Sequence, residues 1–109
     1  MTLAEYQDGA RRTARYPNVG ENIVYPALGL ASEAGEVAGK VKKVLRDDGG
    51  KVSPQRRAEI LQELGDVLWY VAQLATELNI KLDDVADENL KKLASRQDRG
   101  VISGEGDTR

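Results

Sequence analysis

At 109 residues, with 40% apolar and 31% charged side chains and a net charge of −2, the chain is sized and composed for one folded helical domain, and no global positive field invites nucleic acid. The absence of cysteine excludes disulfides, thiolate nucleophiles and zinc–thiolate sites. The absence of histidine removes the commonest general base and the Glu-x-x-His pairs of ferritin-like di-iron proteins. No apolar run approaches the roughly 20 residues that span a bilayer, and Met1 to Ala10 carries Glu5 and Asp8 without an apolar core. Neither a membrane span nor a signal peptide is expected, and the cytoplasm is the default location.

The first helix is expected from Thr2 to about Arg15, with Leu3, Tyr6, Ala10 and Ala14 at helical spacing and a Thr2–Glu5 capping box. Pro17, Asn18 and Gly20 then read as a loop. A second helix starts between Asn22 and Pro26, where the proline fits either a first-turn position or a kink, and runs to about Arg46. Its apolar stripe is Ile23, Ala27, Leu30, Ala34, Val37, Val41, Val44 and Leu45, and Asp47-Asp48-Gly49-Gly50 ends it. Ser53-Pro54 marks a third helix, as N-cap and first position, running to about Asn79. Its stripe is Ile60, Leu64, Val67, Leu68, Val71, Leu74, Ala75 and Leu78. A fourth helix starts at Asp83 or Asp84 and ends near Arg99-Gly100, and residues 101–109 form a glycine-rich, flexible tail. The expected fold is all-α: a bundle of about four helices in a single domain over 1–109, with two long central antiparallel helices. Pairing with a second copy would cover apolar faces that so small a domain leaves open.

The strongest feature is a near-repeat at an offset of thirty. Leu30-Ala31-Ser32-Glu33-Ala34-Gly35-Glu36-Val37 lies over Ile60-Leu61-Gln62-Glu63-Leu64-Gly65-Asp66-Val67. Each copy holds two carboxylates one turn apart at the same phase to its apolar stripe. If the stripes pack antiparallel, the acidic pairs meet at one rim of the interface. A lone Glu-x-x-Glu is usually a solvated surface pair. Two in-phase copies, with no basic residue from Ala27 to Gly39 or from Ala58 to Leu78, favour a site. Four converging carboxylates repel one another unless a cation joins them. Oxygen-only ligation points to Mg²⁺ or Mn²⁺, metals that serve phosphate chemistry.

Glu33-x-x-Glu36 followed by Glu63-x-x-Asp66, within Gly29-Leu30-Ala31-Ser32-Glu33-Ala34-Gly35-Glu36-Val37 and Glu63-Leu64-Gly65-Asp66-Val67-Leu68-Trp69-Tyr70, resembles the MazG-like nucleotide pyrophosphohydrolases of the all-α NTP pyrophosphatase superfamily. The likeness continues through Asn89-Leu90-Lys91-Lys92-Leu93 and Arg96 to the tail Gly104-Glu105-Gly106-Asp107-Thr108-Arg109. The resemblance implies hydrolysis of a nucleoside triphosphate to monophosphate and pyrophosphate, in nucleotide-pool sanitation or control, by a homodimer or homotetramer. It implies that Glu33, Glu36, Glu63 and Asp66 hold Mg²⁺ (or Mn²⁺), with one of them also a candidate general base. Lys40 and Lys43 are candidates to meet phosphate, against their ordinary role at a helix C-terminus. Asn89, Lys92 and Arg96 are candidates for phosphate or sugar, Trp69 or Tyr70 for stacking on a base, and Arg109 for reaching phosphate if the tail folds over the site. Two other readings stand beside this one: a non-catalytic nucleotide-sensing or protein-interaction module, and a member of the same superfamily specific for dUTP or dCTP.

Overall fold

The computed structural model describes residues 1–109 and is all-helical. Four helices follow in order: α1 Leu3–Arg11, α2 Val24–Asp47, α3 Pro54–Glu77 and α4 Leu82–Asp98. The Thr2–Glu5 capping box forms in both directions and starts α1. The helix stops at Arg11, four residues short of the expected end. Thr13 turns its hydroxyl to the Ala10 carbonyl and accepts a hydrogen bond from the Trp69 indole, which draws the chain across α3.

Pro26 is the third residue of α2, in the first turn, where a backbone N–H has no intrahelical partner to lose. It neither kinks the helix nor occupies its first position. The Asn22 side chain accepts from the Val24 and Tyr25 amides and so starts the helix. Ser53 caps α3 through its hydroxyl, with Pro54 first in the helix. The start of α4 lies at Leu82, ahead of the two aspartates, because the Gln7 side chain on α1 accepts from the Leu82 amide.

α2 and α3 form an antiparallel hairpin, α1 packs on α3, and α4 packs chiefly on α1. Within the hairpin the sheltered residues of α2 recur as Pro26, Leu30, Glu33, Val37, Lys40 and Val44, and those of α3 as Ile60, Glu63, Val67, Tyr70 and Leu74. Both spacings alternate three and four, the period of a helix seam. The apolar stripes are therefore split. One half faces the partner helix, while Val41, Leu45, Leu61, Leu64 and Leu68 are exposed. These follow seam positions by one residue. Reversing a helix also reverses its sense of rotation, so on an antiparallel pair they share one side of the hairpin. Glu36 and Asp66, three residues past Glu33 and Glu63, are rotated about 60° the other way, to the opposite side.

The core is small: Ala10, Ala72, Ala75 and Leu82, with Tyr6, Trp69 and Val71 packed against it. The radius of gyration is 16.7 Å, against about 13 Å for a compact chain of this length. The accessible surface is 7817 Å², against about 5,900 Å² for a folded monomer of this mass.

Beneath the start of α2, Glu77 is fully enclosed and pairs with Arg11 at 2.6 Å. It also accepts from the Tyr16 hydroxyl and from the Gly20 and Asn22 amides. Burial alone would raise its pKa, but the hydrogen bonds from Asn22, Arg11, Gly20 and Tyr16 lower it to about 2. One carboxylate thus pins the α1–α2 loop to α3.

Candidate active site

The hairpin brings Glu33 of α2 together with Glu63 and Asp66 of α3: one carboxylate oxygen from each lies within 4.8 Å of the others. Glu33 and Glu63 are half-buried, in a seam whose other residues are apolar or aromatic apart from Lys40, and Asp66 is exposed beside them. Glu36 lies outside this trio, exposed on the same side of the hairpin as Asp66. The cluster raises the pKa of Glu33, first through burial and then through the charges of Asp66, Glu63 and Glu36. No side chain donates a charge-assisted hydrogen bond to the trio.

That is the donor set a hard divalent cation requires: several carboxylate oxygens, close together, unneutralised by any neighbouring base. Glu33, Glu63 and Asp66 would hold it. Burial raises the Glu33 pKa first, and the neighbouring charges that raise it further are ones a bound cation would offset.

Aromatic side chains flank the acids. The Tyr70 ring lies over Gly29, where an added Cβ would stand 2.2 Å from its Cε1. Burial, the neighbouring Tyr25 and the charges of Glu33 and Asp66 all raise the Tyr70 pKa. Tyr6 on α1 is raised by burial and by Asp66. The Trp69 indole donates to Thr13 at 2.9 Å and meets Tyr70 edge-on.

The protein resembles known sequences along this same stretch. The MazG nucleotide pyrophosphohydrolase domain matches residues 26–101, which carry all four acids. The chain belongs to that family. A curated relative, the Gene 37 protein of Mycobacterium phage L5, is 51% identical over 114 residues and is matched over the full length of both chains. No solved structure matches. The all-helical architecture is that of a MazG domain, and no helix is long and apolar enough to cross a membrane.

Within this MazG chain the other candidate residues divide. Lys40 and Lys43 are half-buried on the Glu36 side of α2, and neither joins an ion pair. Asn89 is exposed on α4. Lys92 and the buried Arg96 both turn to Asp107, at 2.9 and 3.1 Å. Arg109 donates to the carbonyls of Val101, Ile102 and Gly106, while its own carbonyl accepts from Arg99. The tail is irregular, as its glycines suggest, but it is tied to α4 rather than folded over the acids. Sequence reasoning passed over Gly29, Tyr6, Tyr25 and Glu77. Gly29 stood within the matching motif. Tyr6 stood in the apolar stripe of α1 without a site role, and Tyr25 and Glu77 gave no local signal, because their partners lie outside their own helical turns.

Proposed function

We propose that the protein hydrolyses a nucleoside triphosphate to the monophosphate and pyrophosphate, with Mg²⁺, or Mn²⁺ in its place, held by Glu33, Glu63 and Asp66 and with Glu36 at the rim. The observation that carries this is the convergence of three carboxylates, two in the α2–α3 seam and one beside it, in a chain from the MazG nucleotide pyrophosphohydrolase family. When bound, such a cation supplies positive charge against phosphate oxygens and acidifies water. Glu36, outside the trio, is free to accept the proton of the attacking water. Lys40 and Lys43 meet the phosphate chain, and Asn89 is the exposed α4 side chain left for phosphate or sugar. Lys92, Arg96 and Arg109 act through the tail. Trp69 supports Tyr70 from the core side.

We further propose that the working form is a homodimer or homotetramer, placed in the cytoplasm and serving nucleotide-pool sanitation or control. The support for assembly is the surplus surface, about 1,900 Å² above a typical monomer. A permanent interface buries at least about 1,000 Å² per partner, and the leucines on the free side of the hairpin are there to fill it.

A panel of canonical and modified NTPs and dNTPs, incubated with Mg²⁺ and analysed by product, tests the activity. Monophosphate and pyrophosphate are the expected products. Release no faster than by a Glu36→Gln/Asp66→Asn variant would sink the reading. A marked preference for dUTP or dCTP would narrow it.

A further inference from the structure

We propose that the nucleotide lies along the acid-bearing side of the α2–α3 hairpin in one direction, with its base against Tyr25 and Tyr70 and its β- and γ-phosphates towards Lys40 and Lys43. This deepens the reading of the acid cluster given above and rests on it.

This side of the hairpin is chemically polarised. Tyr25, Gly29, Glu33, Glu36, Lys40 and Lys43 are spaced 4, 4, 3, 4 and 3 apart, which puts them along one side of α2. In order they offer an aromatic ring, a bare backbone position, two acids and two cations. At 1.5 Å per residue, Tyr25 lies about 12 Å before Glu33, and Lys40 about 10 Å beyond it.

The aromatic end is built, not incidental. The chain has four tyrosines, one tryptophan and no phenylalanine. Four of these five rings form a continuous run. Tyr16 stacks on Tyr25 at 5.1 Å, Tyr25 meets Tyr70 at 6.3 Å, and Tyr70 meets Trp69 edge-on at 5.0 Å. Tyr16 is buried and its hydroxyl is taken by Glu77, so the run is anchored from below. Tyr25 stands outside the alanine-lined core and is 42% exposed. Gly29 then lets the Tyr70 ring lie against α2, which carries the aromatic surface up to the acids.

Charge decides the direction. No cation stands on either long helix between Ala27 and Gly39 or between Ala58 and Leu78. The unpaired cations on this side of α2 are Lys40 and Lys43, beyond the acids. A triphosphate pointing towards Tyr25 would meet carboxylates and phenols with no positive partner except the cation at the trio. Pointing the other way, it meets two ammonium groups, while the uncharged base takes the aromatic surface.

The two products separate the two ends. Isothermal titration with Mg²⁺ would use the monophosphate of the best substrate and, separately, inorganic pyrophosphate. Tyr25→Ala and Tyr25→Leu should weaken the monophosphate about tenfold, the scale of one lost base–aromatic contact, and leave pyrophosphate within about twofold. Lys40→Ala/Lys43→Ala should do the reverse. Each variant carries its own control, since both products are read on the same folded protein, checked by helical circular dichroism. The mirrored pattern, or equal weakening of both products in a folded variant, overturns the direction while leaving the activity standing. A wild-type protein that releases no pyrophosphate from any nucleotide of the panel removes the activity and the direction together.

Discussion

Tyr70 and Gly29 touch across the hairpin so closely that an added Cβ at position 29 would stand 2.2 to 2.5 Å from three ring atoms. In an open helix Gly→Ala is worth up to about 1 kcal/mol of stability. Here the added methyl overpacks the seam, at about 1–3 kcal/mol. Gly29→Ala is therefore expected to destabilise, as read by urea denaturation. Adding Tyr70→Ala should recover part of that loss. A stabilised Gly29→Ala protein would contradict the contact.

Glu77 sets the acid limit of the fold. Its pKa is lowered from 4.5 to about 2. A folded-state value below the unfolded one gives stability that is present above the unfolded pKa and withdrawn as pH falls towards the folded one. Wild type should lose stability between pH 4.5 and about 2. Glu77→Gln removes the charge partner of Arg11, which keeps Tyr16 and Gln73, and should cost about 1–3 kcal/mol at neutral pH, with a flatter profile over that acid range. Melting temperatures across the pH series check both.

Glu33 should behave in the opposite sense. Its carboxylate sits among three others and gains nothing from them when no cation is bound. Glu33→Gln should raise the melting temperature in EDTA and abolish the further rise that Mg²⁺ gives wild type. A variant less stable in EDTA but still stabilised by Mg²⁺ would place the cation elsewhere.

The free side of the hairpin should govern assembly. Leu61→Glu/Leu64→Glu puts charge on two exposed apolar positions and leaves the seam residues Ile60 and Glu63 untouched. Light scattering after size exclusion should show wild type as an oligomer and the variant as a folded monomer. An already monomeric wild type contradicts the assembly.

Arg96 is the buried tie among those that hold the tail. Arg96 links α4 to the Asp107 side chain and carbonyl. Arg96→Met should free residues 101–109, and carboxypeptidase B should then release Arg109 faster than from wild type. An unchanged release rate would show that Arg99 and the carbonyls around Arg109 suffice.

Features closed within one helical turn were legible in the sequence. The Thr2–Glu5 box and the Ser53-Pro54 start involve partners three residues apart or fewer, so residue type alone announces them. The acid pairs were legible for a related reason: helix geometry fixes their phase, and the repeat supplies both halves. The division of each apolar stripe into seam and free side was not, because leucine looks the same facing either. Nor was the end of α1 at Arg11, which depends on Thr13 meeting Trp69, 56 positions away. Glu77 and Arg11 are 66 apart, and nothing local distinguishes that pair from surface charges.

Glu33 and Glu63 occupy places in the seam where the heptad spacing calls for hydrocarbon. The hairpin is consequently an incomplete fastening, and a divalent ion is the part that would finish it. Affinity for the ion and resistance of the helices to separation then become two readings of a single quantity. An apolar residue at position 33 or 63 would tighten the empty hairpin but remove a carboxylate that the ion would use. A lineage selecting for heat resistance would have to strengthen this protein somewhere other than the middle of its longest helices.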